Sequence, residues 1–298
     1  MTFILFSNGK KIEDAFLLRD FQDEKVGIFE SLRTYNGRIF RQEEHLARLL
    51  ESAKTAGVSK VPDIPILRRE LKLALLAFQK CHSKAKGRRI SKPRSFAEPA
   101  LSAAPLRMSR DAFLRLTLWQ GRIFVMVGER FHPAALYKKG VVLQTSPVRR
   151  AHSNASAPEA KTSDYQNALL ATLEPAPGET YEWLFLDQNG FVTEVRIGNL
   201  FMIKHNVLLT PPARGILDGV TRRFVIECAP QAGMRVEETP LTRHEVFNAE
   251  EAFLTNTSWE ILPVRQLDSR RIGQKVPGPG TQKLQRIFTK KILKECPS

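Results

Sequence analysis

Two Asn-Gly pairs, Asn36-Gly37 and Asn189-Gly190, each stand between short apolar, β-rich runs, and they constrain the fold of this chain more than any other feature. Both central positions of a tight two-residue hairpin need positive φ, which Asn and Gly tolerate. VGIFESLRT with RIFR, and YEWLFLD with FVTEV, are therefore predicted as antiparallel hairpins. Helical stretches alternate with them. HLARLLESAKTAG places Leu46, Leu49, Leu50 and Ala53 on one face and stops at Gly57, and a second helix beginning near Asp63-Ile64-Pro65 carries Leu67, Leu71, Ala74, Leu75 and Phe78 at matching spacing. AFLRLTLWQGRIFVMVG offers two strands around Gly121; VVLQTSPV, NLFMI and VLLTP read as strands and SDYQNALLATLE as a helix. VTRRFVIECAPQAG reads as a helix stopped by Gly233, LTRHEVFNA as a short helix with Thr242 and Glu245 at capping-box spacing, and AFLTNTSWEILPV as a strand and turn. No internal repeat is visible. Such a mixture predicts the α/β class with mixed or antiparallel sheets, not a doubly wound parallel sheet. The division falls near residue 130, between a smaller N-terminal α/β domain (1–130) and a larger C-terminal α/β domain (131–298).

With 298 residues and 42% hydrophobic content, the chain can bury a sizeable core. No run approaches the roughly 18 apolar residues of a membrane helix, and the start, MTFILFSNGKKIED, lacks a basic leader and a long apolar segment, so a soluble, cytoplasmic protein is expected. Cys81, Cys228 and Cys296 lie far apart and no histidine cluster accompanies them, which argues against disulfides and a metal site. The net charge of +15 permits nucleic-acid binding. Much of it is concentrated: Lys80, Lys84, Lys86, Arg88, Arg89, Lys92 and Arg94 stand with no acid among them, next to Gly87 and Pro93, and predict a solvated basic loop over about 80–110. Beyond Arg265, basic residues alternate with Leu284, Ile287, Phe288 and Ile292 as on the outer face of an amphipathic helix. A nucleic-acid-binding protein using the loop is the distant alternative. Only Phe96 is there for base stacking, and no binding motif accompanies it. GxGxxG and Walker A sequences are absent.

Candidate chemistry sits elsewhere. Lys161, in EAKTSDYQNALLA, follows a loop containing Pro158 and precedes a predicted helix; by position alone it is an ordinary solvated lysine. Glu194 lies at a strand end in EVRIGNLF, where an exposed glutamate is the plain reading. Gly219, Val220 and Thr221 open a helix whose first amides and dipole favour an anion, although many helices begin so and bind nothing. No His-Asp-Ser arrangement competes with these groups.

In chain order, HLARLLESAKTAG, EAKTSDYQNALLA, EVRIGNLF, RGILDGVTRR and LTNTSWEILPV resemble the class IV (fold-type IV) aminotransferase family, which includes branched-chain, D-amino-acid and aminodeoxychorismate enzymes. The resemblance runs from about Asn8 to about Phe288, interrupted at 80–110 by a stretch longer and more basic than a family linker. It implies the two-domain D-amino-acid-aminotransferase-like fold, pyridoxal 5'-phosphate (PLP) as cofactor, and a homodimer. It further implies that Lys161 forms the Schiff base and shuttles a proton between substrate Cα and cofactor C4′, and that Glu194 holds the ring nitrogen protonated. Val220, Thr221, Thr257 and Arg48 would then contact the phosphate. Tyr165 would partner the ring oxygen or only pack against its helix, His45 would serve as a cap or in the core, and Arg115 and Ser258 would contact substrate. Trp119-Gln120-Gly121 replaces the Thr-Arg-Gly of many members, so the substrate pocket departs from the common L- and D-specific patterns. The implied reaction is amino-group exchange between an amino acid and a 2-oxo acid, both small molecules. The runner-up is aminodeoxychorismate lyase, releasing 4-aminobenzoate and pyruvate: Asn256 is similar to lyase sequences, whereas Glu30 stands where some lyases carry a threonine.

Overall fold

The computed structural model describes residues 3–7, 10–12, 27–86 (backbone only for 81–86), 111–119, 121–130, 132–150, 158–162 and 177–297. The N-terminal part is a six-stranded antiparallel sheet of β1 (Phe3–Ser7), β2 (Lys10–Lys11), β3 (Ile28–Tyr35), β4 (Arg38–Ile39), β5 (Phe113–Trp119) and β6 (Arg122–Gly128), in the order β2-β1-β6-β5-β3-β4. Asn36 and Gly37 have φ of 51° and 76°, the two positive values that the β3–β4 hairpin requires.

Strand alternation gives this sheet two unlike faces. Ile28, Leu32, Leu114, Leu116, Leu118, Val125 and Val127 form one core with α1 (Gln42–Thr55) and α2 (Ile64–Lys86). The other face of β3 and β5 carries Phe29, Ser31 and Arg33, opposite Thr117, Arg115 and Phe113. Helix α2 corrects one expectation: Lys80 to Lys86 continue the helix instead of opening a loop, because Lys and Ala are good helix formers and no Pro or Gly intervenes. The rest of the basic stretch, residues 87–110, lies outside the described residues, as does SDYQNALLATLE.

After α3 (Ala134–Lys139), the C-terminal part is built on a nine-stranded mixed sheet. Its strands are β7 (Val141–Thr145), β8 (Thr180–Leu186), β9 (Val192–Val195), β10 (Gly198–Lys204), β11 (Val207–Thr210), β12 (Arg235–Glu238), β13 (Glu251–Asn256), β14 (Glu260–Leu267) and β15 (Arg270–Arg271). The order β10-β13-β14-β7-β8-β9 closes on itself because β9 also pairs with β10, which makes a barrel. Leu200, Met202, Leu254, Leu262 and Val264 turn to its interior. Phe201, Ile203, Phe253 and Ile261 turn outward, under α4 (Val220–Cys228) and α6 (Pro279–Glu295). Between them α5 (Arg243–Phe247) starts with the expected capping box of Thr242 and Glu245. The two parts meet along an aromatic chain, Tyr35, Phe40, Phe224 and Phe288, each ring 4.9–5.6 Å edge-on to the next. Among the described residues, no helix is long and apolar enough to cross a membrane.

Candidate active site

Strand β3 puts one charged residue on its apolar side: Glu30, facing α1 between Ile28 and Leu32 and fully buried. A buried carboxylate needs partners, and α1 supplies two from one face. Arg48 donates from Nε to Oε1 at 2.7 Å and from Nη2 to Oε2 at 2.8 Å, and His45 Nδ1 lies 2.8 Å from Oε2. Burial alone would raise the Glu30 carboxyl; the Arg48 charge and the bonds from His45 and Arg48 overcome it and hold the pKa well below the carboxylate range. His45 is thus a core residue and not a cap, since Arg41 occupies the N-cap position of α1. The remaining Arg48 donor, Nη1, reaches the Asp218 carbonyl at 2.8 Å.

That bond sets the guanidinium beside the start of α4. Gly219 is the N-cap, and among the described residues no side chain caps the first amides, including those of the buried Val220 and Thr221. A Cβ at Gly219 would come 2.3 Å from Asn199 Oδ1, so only glycine allows this approach. Thr221, Thr257, His45, Arg33 and Asn256 line one small cavity between the two parts of the chain.

Lys161 belongs to a segment held from both sides. Glu159 Oε1 accepts from the Gly215 amide at 2.8 Å, while the Lys161 amide donates to Ser52 Oγ at 2.9 Å and the Phe29 amide to the Lys161 carbonyl at 3.1 Å. The residue keeps partial exposure, but its amine lies inside, 4.4 Å from the centroid of the buried Phe29 ring. Its pKa is lowered from 10.5 to about 8: burial is the main cause, Arg48 and Arg115 add to it, and Glu30 and Glu194 oppose it. Arg115 stacks on Phe29 as well, 3.8 Å from the centroid. Lys161, Arg48, Arg115 and Glu194 therefore form one electrostatic group, which the sequence scatters over 147 positions. Tyr165 lies outside the described residues.

Glu194, at the end of β9, is buried, and burial raises its pKa. Arg150 opposes that rise with an ion pair at 2.6 Å, and the Leu217 amide and Asn199 Nδ2 add donors at 3.4 and 3.3 Å. Asn199 also donates to the Leu217 carbonyl at 2.8 Å, joining this carboxylate to the loop that leads into α4.

The turn between β13 and β14 completes the site. Asn256 Oδ1 accepts from the amides of Ser258 and Trp259, and Arg33 Nη1 donates to the Ser258 carbonyl at 3.3 Å. Ser258 Oγ lies 2.7 Å from His132 Nε2. The His132 imidazole is neutral near pH 7, since burial and then the charges of Arg130 and Arg33 push its pKa down to about 4. Arg33 also pairs with Glu260 at 2.8 Å. Sequence reasoning overlooked Ser52, Arg33, His132, Arg150 and the bridging role of Asn199. Glu30 carries a signal that could have been read for burial, as an acid among the apolar positions of an alternating strand.

This donor set fits PLP. An arginine beside uncapped helix amides suits a phosphate dianion, an amine of lowered pKa suits an aldehyde, and a buried acid suits a pyridinium nitrogen. The fold and the site define a PLP enzyme of fold type IV. The Amino-transferase class IV family matches residues 27–267, and the chain belongs to that family. It is 31% identical to a branched-chain-amino-acid aminotransferase of Pseudomonas aeruginosa over 88% of this chain and 83% of that protein. It is 26% identical to a D-alanine aminotransferase of Bacillus licheniformis over 98% of both. The structure of a branched-chain amino acid aminotransferase from T.th. complexed with N-(5'-phosphopyridoxyl)-L-glutamate matches at TM-score 0.77 and 25% identity, covering 99% of this chain and 95% of that one. The protein is a PLP-dependent aminotransferase; the lyase alternative is not favoured by these relatives.

Proposed function

We propose that this chain transfers the amino group of branched-chain and related apolar amino acids to a 2-oxo acid, with Lys161 as the residue that bonds the cofactor aldehyde. The observation that carries the proposal is the position of the Lys161 amine, buried, on Phe29, and in the field of Arg48, Arg115 and Glu194. When bound, PLP supplies an aldehyde and an electron-accepting ring. Lys161 Nζ, partly neutral near its pKa of about 8, takes the proton from substrate Cα. Glu194 would keep a proton on the ring nitrogen, with the Arg150 ion pair opposing the rise in pKa that burial causes. Arg48, the amides of Val220 and Thr221, and the Thr257 hydroxyl would hold the phosphate. Ser258 and Arg115 receive substrate carboxylate oxygens, and the rings of Phe29 and Phe113 exclude water from an apolar side chain.

The names of the relatives support the substrate class, and the Phe29 and Phe113 rings, on the face of β3 and β5 that turns away from α1 and α2, agree with it. The proposal extends to a two-domain division near residue 130, a homodimer and a cytoplasmic location. The test offers purified holoenzyme a panel of L- and D-amino acids with 2-oxoglutarate. Turnover confined to acidic or aromatic donors, or sodium borohydride fixing the cofactor to another lysine, would overturn it.

A further inference from the structure

Both main-chain polar groups of Lys161 are bound by the N-terminal part of the chain: its amide by Ser52 Oγ at 2.9 Å, its carbonyl by the Phe29 amide at 3.1 Å. Ser52 is almost fully buried, in the last turns of α1, and follows Arg48 by four positions. Residues so spaced stand one above the other on a helix face, with Cβ atoms about 5–6 Å apart. His45, Arg48 and Ser52 therefore form one buried row. On β3, Phe29 and Glu30 are adjacent: Phe29 holds the lysine, and Glu30 holds Arg48 through two hydrogen bonds.

We propose that Ser52 is a positioning residue for Lys161, its hydroxyl fixing the spacing between the lysine that bonds the cofactor aldehyde and the arginine that faces the cofactor phosphate. The inference rests on the assignment of Lys161 and Arg48 made above. PLP is a rigid ring with a short phosphate arm, so a lysine displaced by an ångström meets the aldehyde in poor geometry even when the phosphate is held. Misplacement on that scale costs up to about a hundredfold in rate. An Oγ at position 52 also satisfies an amide that would otherwise lack this partner in a largely enclosed place.

Two cofactor forms separate this role from a general support of the fold. Pyridoxamine phosphate carries an amine where PLP carries its aldehyde, so it engages the phosphate cradle but forms no bond with lysine. Cofactor-stripped wild type, Ser52→Ala, Ser52→Thr and Ser52→Val are each mixed with PLP. The rise of the bound-cofactor absorbance is followed, and the linkage is fixed with borohydride and mapped by mass spectrometry. Pyridoxamine phosphate affinity is measured in parallel by fluorescence quenching. Thr and Val have nearly the same shape and differ in the hydroxyl, so their comparison stands even where Ala perturbs folding. The expected result is PLP capture slowed about tenfold or more in Ala and Val and retained in Thr, with pyridoxamine phosphate affinity within about twofold throughout. Equal capture by the Thr and Val variants would overturn the role of Ser52, as would equal losses for both cofactor forms. Label on a lysine other than 161 in wild type would instead overturn the assignment of Lys161, and this inference with it.

Discussion

The Lys161 amine sits in a balance of four charges, two of each sign, and its pKa of about 8 makes it a cation that releases its proton within reach of neutral pH. Since Arg115 is among the groups that lower this value, Arg115→Gln should raise it. PLP capture requires the neutral amine, so the pH midpoint for capture by the cofactor-free variant should move to higher pH than wild type, as read from initial rates between pH 6 and 10. An unmoved midpoint would show that Arg115 does not act on the lysine. Lys161→Ala should retain pyridoxamine phosphate binding and lose turnover by about a thousandfold or more, because both the covalent link and the proton carrier go. Residual turnover within tenfold of wild type would refute that assignment. Little of this was legible residue by residue. Lys161 and Glu194 stood out only through a resemblance spread over five segments, because nothing in EAKTSDYQ or EVRIGNLF encodes burial. Ser52, Arg150 and His132 act through bonds to residues 109, 44 and 126 positions away, and no local pattern points to such pairs.

Elements whose cause is local were legible, and those made by long-range pairing were not. The β3–β4 hairpin, the left-handed stop at Gly233 (φ 69°) and the capping box of α5 each follow from two to four consecutive residues, although α4 itself ends at Cys228 and Gly233 closes a 3-10 turn, Ala229–Ala232, begun around Pro230. Barrel closure depends on parallel pairing of β7 with β14 and β8, whose sequences are apolar strands like any other. Two helix starts lead to opposite expectations. At α5, Thr242→Ala removes the N-cap bond to the Glu245 amide and should cost about 1 kcal/mol of stability while leaving kcat unchanged. At α4, Gly219→Ala drives a Cβ to 2.3 Å from Asn199 Oδ1 and 3.3 Å from Arg222 Cβ, displacing the helix start or the asparagine that joins it to Glu194. Cofactor affinity should fall at least tenfold, measured by equilibrium dialysis against PLP. Retained affinity would mean that the start of α4 does not hold the phosphate.

Across the whole molecule, ion pairs gather where the two parts meet. Arg41, in the left-handed region at φ 48°, reaches Glu44 on α1, Glu227 on α4 and Glu295 on α6, while Glu30 is sealed between β3 and α1. The sealed carboxylate should leave its mark on global stability. Its folded pKa lies below the unfolded 4.5, so the folded state binds fewer protons, and its stabilising contribution is complete above about pH 4.5. As pH falls below that value the unfolded chain takes up the proton first. The contribution then declines by about 1.4 kcal/mol per pH unit until the folded pKa is reached. Glu30→Gln leaves Arg48 buried without its counter-charge and should cost about 3–5 kcal/mol at pH 7, as measured by urea unfolding of the cofactor-free protein. The difference between wild type and variant should be constant from pH 7 to pH 5 and shrink by about 1 kcal/mol or more at pH 3.5. A gap that persists unchanged at pH 3.5 would mean that the carboxylate is not held ionised by Arg48 and His45. The electrostatic account of the arginine that faces the phosphate would then fail at its base.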